Sequence, residues 1–154
     1  MDKSISLIRK TVNHGMSWEG VYGYCQAVQV KDVIYLSGQL GHDQDGKLVA
    51  PAPLDEQGRP SEFSGMEAQM RQTYQNAADL LARFGASFDD VVEETLYVID
   101  MEAALAVAGK VRKPFYGMEQ PQCASTIVGV TQLALKPQLI EVSFRAVLRD
   151  AGEA

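Results

Sequence analysis

Residues 139–148 read LIEVSFRAVL, and the alternation in this stretch decides the fold. Ile140, Val142, Phe144, Ala146 and Leu148 fall on one side of an extended chain, because successive strand side chains point to opposite faces. The other side carries Leu139, Glu141, Ser143, Arg145 and Val147. One face is suited to a core. The other is mixed and too apolar to be left entirely to water, so it calls for a partner subunit.

Working backwards, "KPQ" at 136–138 is a turn, and Ser125–Val130 is the preceding strand. Asp100 caps a helix predicted over 101–117, with an apolar stripe at Met101, Leu105, Ala108, Val111 and Phe115. Pro114 sits awkwardly for a helix interior and predicts a kink or an early end. Val91–Ile99 alternates in period two and reads as a strand. Before it, Met66, Met70, Thr73, Ala77, Leu80 and Phe84 recur every three or four residues, which is one face of a helix. Ser64 and Glu67 have capping-box spacing, and Gly85 suits the position after the helix end.

Towards the N-terminus, Tyr24–Val30 and Val33–Ser37 flank a turn at Lys31-Asp32 and read as a β-hairpin that ends at Gly38. The stretch 41–64 is rich in Gly, Pro and Asp and reads as a long surface loop with a turn at Asp45-Gly46. The order is therefore β-β-α-β-α-β-β. Two helices cannot cover both faces of five strands, so they pack on one face. The fold class is α+β, with the 154 residues forming one domain over 1–154.

Composition narrows the functions. The chain is 46% hydrophobic and 22% charged, with a formal net charge of −6. That balance disfavours nucleic acid as a partner, because neutralising phosphates needs clustered Lys and Arg. The densest basic stretch, KVRKPF at 110–115, reads as a solvated helix face. No apolar run is long enough to span a bilayer, and MDKSISLIRKTVNHG lacks the apolar core of a secretory signal, so a cytoplasmic location is expected. In that compartment Cys25 and Cys123 are expected to be reduced and to pack as small hydrophobes.

Site motifs are sparse. HDQDG at 42–46 has calcium-like oxygens but lacks the distant bidentate Glu, so it reads as a polar turn. His14 and His42 show no metal-ligand spacing, and no metal site is predicted. YLSGQLG at 35–41 lacks the phosphate-binding glycine pattern and is followed by a loop. Glu141 is the notable acid. Set in an apolar strand, it is either a general acid or base with a raised pKa, or one half of a pair with Arg145.

Several segments together resemble the Rid (YjgF) family: YCQAVQVKDVIYLSGQLG, MRQTYQNAADLLARFGASFDDVV, ETLYVID, ASTIVGVTQLA and LIEVSFRAVL, in that order from Tyr24 to Leu148. The resemblance implies a chorismate-mutase-like fold and a homotrimer with small-molecule clefts between subunits. It implies hydrolysis of reactive enamines and imines, such as 2-aminoacrylate, to a keto acid and ammonia, with no cofactor. By this likeness Tyr24, Ser37 and Gly38 line the cleft and Glu141 activates water. Ser125 stands where deaminase members carry the arginine that grips the substrate carboxylate, and Glu102 stands where the family often has Asn.

A serine hydroxyl makes a neutral hydrogen bond worth about 0.5–1.5 kcal/mol, against about 1.5–3 for a charge-assisted one. That departure argues against typical 2-imino-acid deaminase activity and for a ligand that is neutral, cationic or acidic elsewhere. Arg145, on the face of Glu141, and Arg59, in the long loop, are the candidate replacement cations. The alternative is a trimer that binds a ligand or a protein without catalysis.

Overall fold

A computed structural model describes residues 7–149, so part of the N-terminal stretch read for a signal lies outside the described residues. The elements are β1 (Ile8–Val12), α1 (Ser17–Tyr22), β2 (Ala27–Val30), β3 (Val33–Gln39), α2 (Met66–Ala82), β4 (Val91–Val98), α3 (Met101–Tyr116), β5 (Ala124–Gly129) and β6 (Ile140–Val147). A 3-10 turn at Phe88–Asp90 leads into β4. The strands form a six-stranded sheet in the order β1-β2-β3-β6-β4-β5. Only the β4–β5 pair is parallel, and α3 supplies the crossover a parallel pair needs. None of the helices among the described residues is long and apolar enough to cross a membrane.

The α+β expectation holds, with two additions. β1 and α1 were not predicted. β1 is exposed at four of its five positions, so burial imposed no alternation on its sequence. α1 is a six-residue turn of helix closed by Gly23 at φ 77°, too short to show a period.

Both long helices meet the core face of the sheet. Tyr74 of α2 packs edge-on against Phe144 of β6 with ring centroids 5.3 Å apart, and against Phe115 of α3 at 5.6 Å. Phe88 closes the cluster. The expected α2 face is buried from Met66 to Leu80. The opposite face of the sheet, which carries the mixed side of β6, exposes Tyr35, Val128 and Val147 at about 40% each.

Several local expectations are corrected. Ser64 does not cap α2. Gly65 is the N-cap, and a Cβ there would lie 2.5 Å from the Ala50 carbonyl oxygen. Glu67 does not reach back but binds Lys110 and, at 3.4 Å, Arg71. In α3 the buried line runs through Ala104 and Val111, while Leu105 is 60% exposed. The helix continues through Pro114 to Tyr116. Leu139 precedes β6 and is buried, its N–H donating to Gln69 Oε1 at 2.8 Å. As expected, Asp100 caps α3, accepting from the Ala103 N–H at 2.9 Å. The HDQDG stretch folds on itself, with Asp43 Oδ1 accepting from the Asp45 and Lys47 N–H groups.

Candidate functional site

Glu141 lies on the open face of the sheet, at the centre of its strand order, with Tyr97 of β4 opposite it. On its other side β3 is irregular. Leu36 pairs with Phe144 and Gln39 with Val142, so Ser37 and Gly38 together oppose the single residue Ser143. Such a bulge bends the strand and re-aims its backbone. Glu141 occupies the space a Gly38 side chain would fill: an added Cβ would sit 2.6 Å from Glu141 Cδ and 2.8 Å from Cγ. Gly38 does not have a positive φ, so glycine is needed here for space and not for backbone angle.

The Glu141 carboxylate is half-buried and makes no hydrogen bond or ion pair among the described residues. Burial raises its pKa above the ordinary glutamate value, because removing water disfavours the charged form. Tyr24 is within electrostatic reach. Its phenol is raised by burial first, then by the charge of Glu19, with a smaller contribution from Glu141.

A line of side-chain amides orients Tyr24. Gln26 Nε2 donates to the phenol oxygen at 3.2 Å, and Gln39 Nε2 donates to Gln26 Oε1 at 2.9 Å. Gln39 Oε1 lies 2.8 Å from His14 Nε2. With its oxygen accepting from Gln26, Tyr24 keeps its own proton available to donate. Ser37 is differently employed: its hydroxyl donates to the Cys25 carbonyl at 2.8 Å, which ties β3 to the segment before β2.

The structure therefore packs Gly38 against Glu141, with Tyr24 within electrostatic reach and Ser37 held by backbone. It places the other predicted residues elsewhere. Arg145 does not pair with Glu141, since four steps along the strand carry the two about 13 Å apart. Its guanidinium lies 5.1 Å from the Tyr35 ring centroid and 3.9 Å from Glu93. Ser125 is in register with Glu94, and its hydroxyl donates to Glu94 Oε2 at 2.9 Å, on the helix-covered face. Within one chain Ser125 and Glu141 thus occupy opposite faces of the sheet. Glu102 is exposed in the first turn of α3. Arg59 lies in a different cleft, with Lys136.

Sequence reasoning missed the cluster that holds Ser125. Glu94 is 1% exposed and accepts from Tyr74 at 3.0 Å, from Arg112 Nε at 2.9 Å and from Tyr116. Arg112 is thus part of a buried network, which corrects the reading of 110–115 as a solvated face. Burial raises the Tyr74 and Tyr116 phenols, and the Glu94 charge adds to both. For Arg112 burial opposes the charge, but the bonds to Glu94 outweigh it and the pKa rises. The adjacent acids of VVEETLYV were the available signal, since alternation must turn one of Glu93 and Glu94 inward.

A half-buried carboxyl, unpaired among the described residues, against a glycine bulge on one open sheet face and within electrostatic reach of a tyrosine, defines a small α+β domain with a candidate acid–base site. The chain belongs to the family described as endoribonuclease L-PSP, which matches residues 17–148. It is similar to the human 2-iminobutanoate/2-iminopropanoate deaminase, with 27% identity over 96% of this chain and 98% of that protein. The mouse protein of the same name is 30% identical over 62% of each chain. Among solved structures, the protein YJGH superposes with a TM-score of 0.72 at 24% identity, covering 95% of this chain and 100% of that one. The chain has the fold of the YjgF proteins.

Proposed function

We propose that this protein hydrolyses the C=N bond of a small imine, or of the enamine that tautomerises to it, with Glu141 as the proton-handling group. The observation that carries this reading is the Glu141 carboxyl itself, half-buried against Gly38 with no partner among the described residues. A structural acid at such a depth is normally hydrogen-bonded. The names of the similar deaminases agree with this chemistry.

Glu141 takes a proton from a water whose oxygen adds to the imine carbon, forming a carbinolamine. With the imine entering protonated, the carboxyl then returns that proton to the carbinolamine nitrogen. The C–N bond breaks as the hydroxyl oxygen forms C=O, the hydroxyl proton passes to Glu141 and on to the departing ammonia, and a carbonyl compound and ammonium leave. A base whose pKa is raised towards working pH takes and returns a proton more evenly than an ordinary carboxylate. Tyr24 donates its phenolic hydrogen to the ligand.

The open face of the sheet supports a homotrimer with this site at its subunit interfaces, because Tyr35, Val128 and Val147 leave apolar surface to cover. With Ser125 on the other face, no cation stands beside Glu141 among the described residues. The preferred substrate is therefore an imine that is neutral, cationic or acidic away from the reacting carbon. The test is ammonia release from a panel of imines generated in place by an amine or amino-acid oxidase. Wild type is expected to accelerate release from at least one, and Glu141→Gln to lose that acceleration. An inert wild type, or a fully active variant, would overturn the reading. The engagement of Ser125 by Glu94 favours a second reading, a binding trimer without turnover, whose sign would be saturable imine binding with no ammonia formed.

A further inference from the structure

We propose that a second cleft, distinct from the Glu141 site, binds a small organic dianion through Arg59 and Lys136. The cleft lies between the long loop and the segment joining β5 to β6, and has a volume of about 270 Å³. That is near the lower end of the roughly 300–1,000 Å³ common for ligand pockets, so the occupant is small.

Two cations line the cleft. Lys136 extends across Gly58, its Nζ 3.3 Å from where a Gly58 Cβ would stand, immediately beside Arg59. Neither makes an ion pair or a side-chain hydrogen bond among the described residues. In a chain of net charge −6, two cations that line one cleft with neither side chain in an ion pair among the described residues are an unusual arrangement. Their mutual repulsion is relieved by an anion placed between them. The guanidinium offers a planar fork and the ammonium a point charge, which together match two negative charges. Ile99 and Leu133 supply apolar wall and Thr131 and Gln132 polar wall, which suits an anion with a carbon skeleton.

The walls are built before any ligand arrives. Asp55 Oδ1 accepts from the N–H groups of Gln57 and Arg59 at 2.9 and 3.0 Å, and the Asp55 N–H donates to the Arg59 carbonyl at 2.8 Å. Arg59 is thus presented from a closed turn. Buried Gln69 ties the two walls together: its Nε2 donates to the carbonyls of Ala50 at 3.0 Å and Pro137 at 3.1 Å. The Ala52 N–H donates to the same Pro137 carbonyl.

Calorimetric titration of the full chain tests this with succinate, glycerol 2-phosphate and neutral succinamide as probes. Saturable binding of either dianion, with none of succinamide, is expected, and the better dianion tells a carboxylate site from a phosphate site. Arg59→Ala and Lys136→Ala should each weaken binding at least tenfold, and the double variant should abolish it. Both side chains are exposed, so melting curves should be unchanged; Arg59→Gln and Lys136→Gln serve as substitutes if they are not. No saturable binding of either dianion, or a double variant that binds like wild type, would overturn the proposal. The readout is binding alone, so it is independent of turnover at Glu141.

Discussion

Replacing Gly38 by alanine separates a positioning effect from a stability effect. The new Cβ would lie 2.6 Å from Glu141 Cδ and 2.8 Å from Cγ, where carbon atoms ordinarily rest about 3.5–4.0 Å apart. One side must therefore yield by about 1 Å. The Gly38 backbone is fixed by the bulge between β3 and β6, whereas the Glu141 side chain can rotate outwards. Because a flexible acid gives way, the packing cost sits near the low end of the roughly 1–3 kcal/mol for overpacking. The stiffer unfolded chain offsets about 0.4–1 kcal/mol of it. The net change is within about 1 kcal/mol, a shift in Tm of no more than about 2–4 °C. A reacting group displaced by this distance costs about 100-fold in rate. Glu141→Ala in the Gly38→Ala background should remove the remaining stability cost, since it removes the clash. The assays are ammonia release for kcat/KM and thermal melting for Tm. A Gly38→Ala protein with kcat/KM within twofold of wild type would refute the reasoning. So would a loss of activity that only follows the fraction unfolded.

Further outcomes follow from the same contacts. Arg112→Ala leaves the Glu94 charge buried without its cation, and urea unfolding should show a loss of about 3–5 kcal/mol; a loss below about 1 kcal/mol would show that the three hydroxyls suffice. Asp100→Ala removes the α3 cap and should cost about 1 kcal/mol, largely recovered in Asp100→Asn. Glu141→Gln should stabilise the fold at neutral pH. The folded protein holds the Glu141 proton to higher pH than the unfolded chain does, so ionising this group costs stability as pH rises through its raised pKa. The advantage of Gln should therefore shrink as pH falls through that pKa and vanish below the ordinary glutamate value, which melts across an acid series would show.

Elements with a repeating burial pattern were legible in the sequence. β6 and α2 each present one face to the core throughout, so period two and period 3.6–4 survive in their residues. β1 was not legible because water covers most of it, and the α3 stripe was misplaced because alanines, not the larger Met101 and Leu105, face the core. At the site, Glu141 was visible as an acid in an apolar strand. The role of Gly38 as space for that acid depends on a bulge of one residue, which no local pattern announces. The buried Glu94 network joins α2, α3, β4 and β5. It rests on contacts between residues far apart in the chain, and only its pair of adjacent acids showed in the sequence.

Glu141 can take and return a proton because it is a half-buried carboxyl without a partner among the described residues. Its titration, followed by carboxyl carbon NMR in protein labelled at glutamate and assigned with Glu141→Gln, tests that most directly. A midpoint clearly above the ordinary value for glutamate is predicted. A midpoint at or below that value would mean the carboxylate is solvated or paired with a cation, and would contradict its assignment as the group that takes and returns the proton.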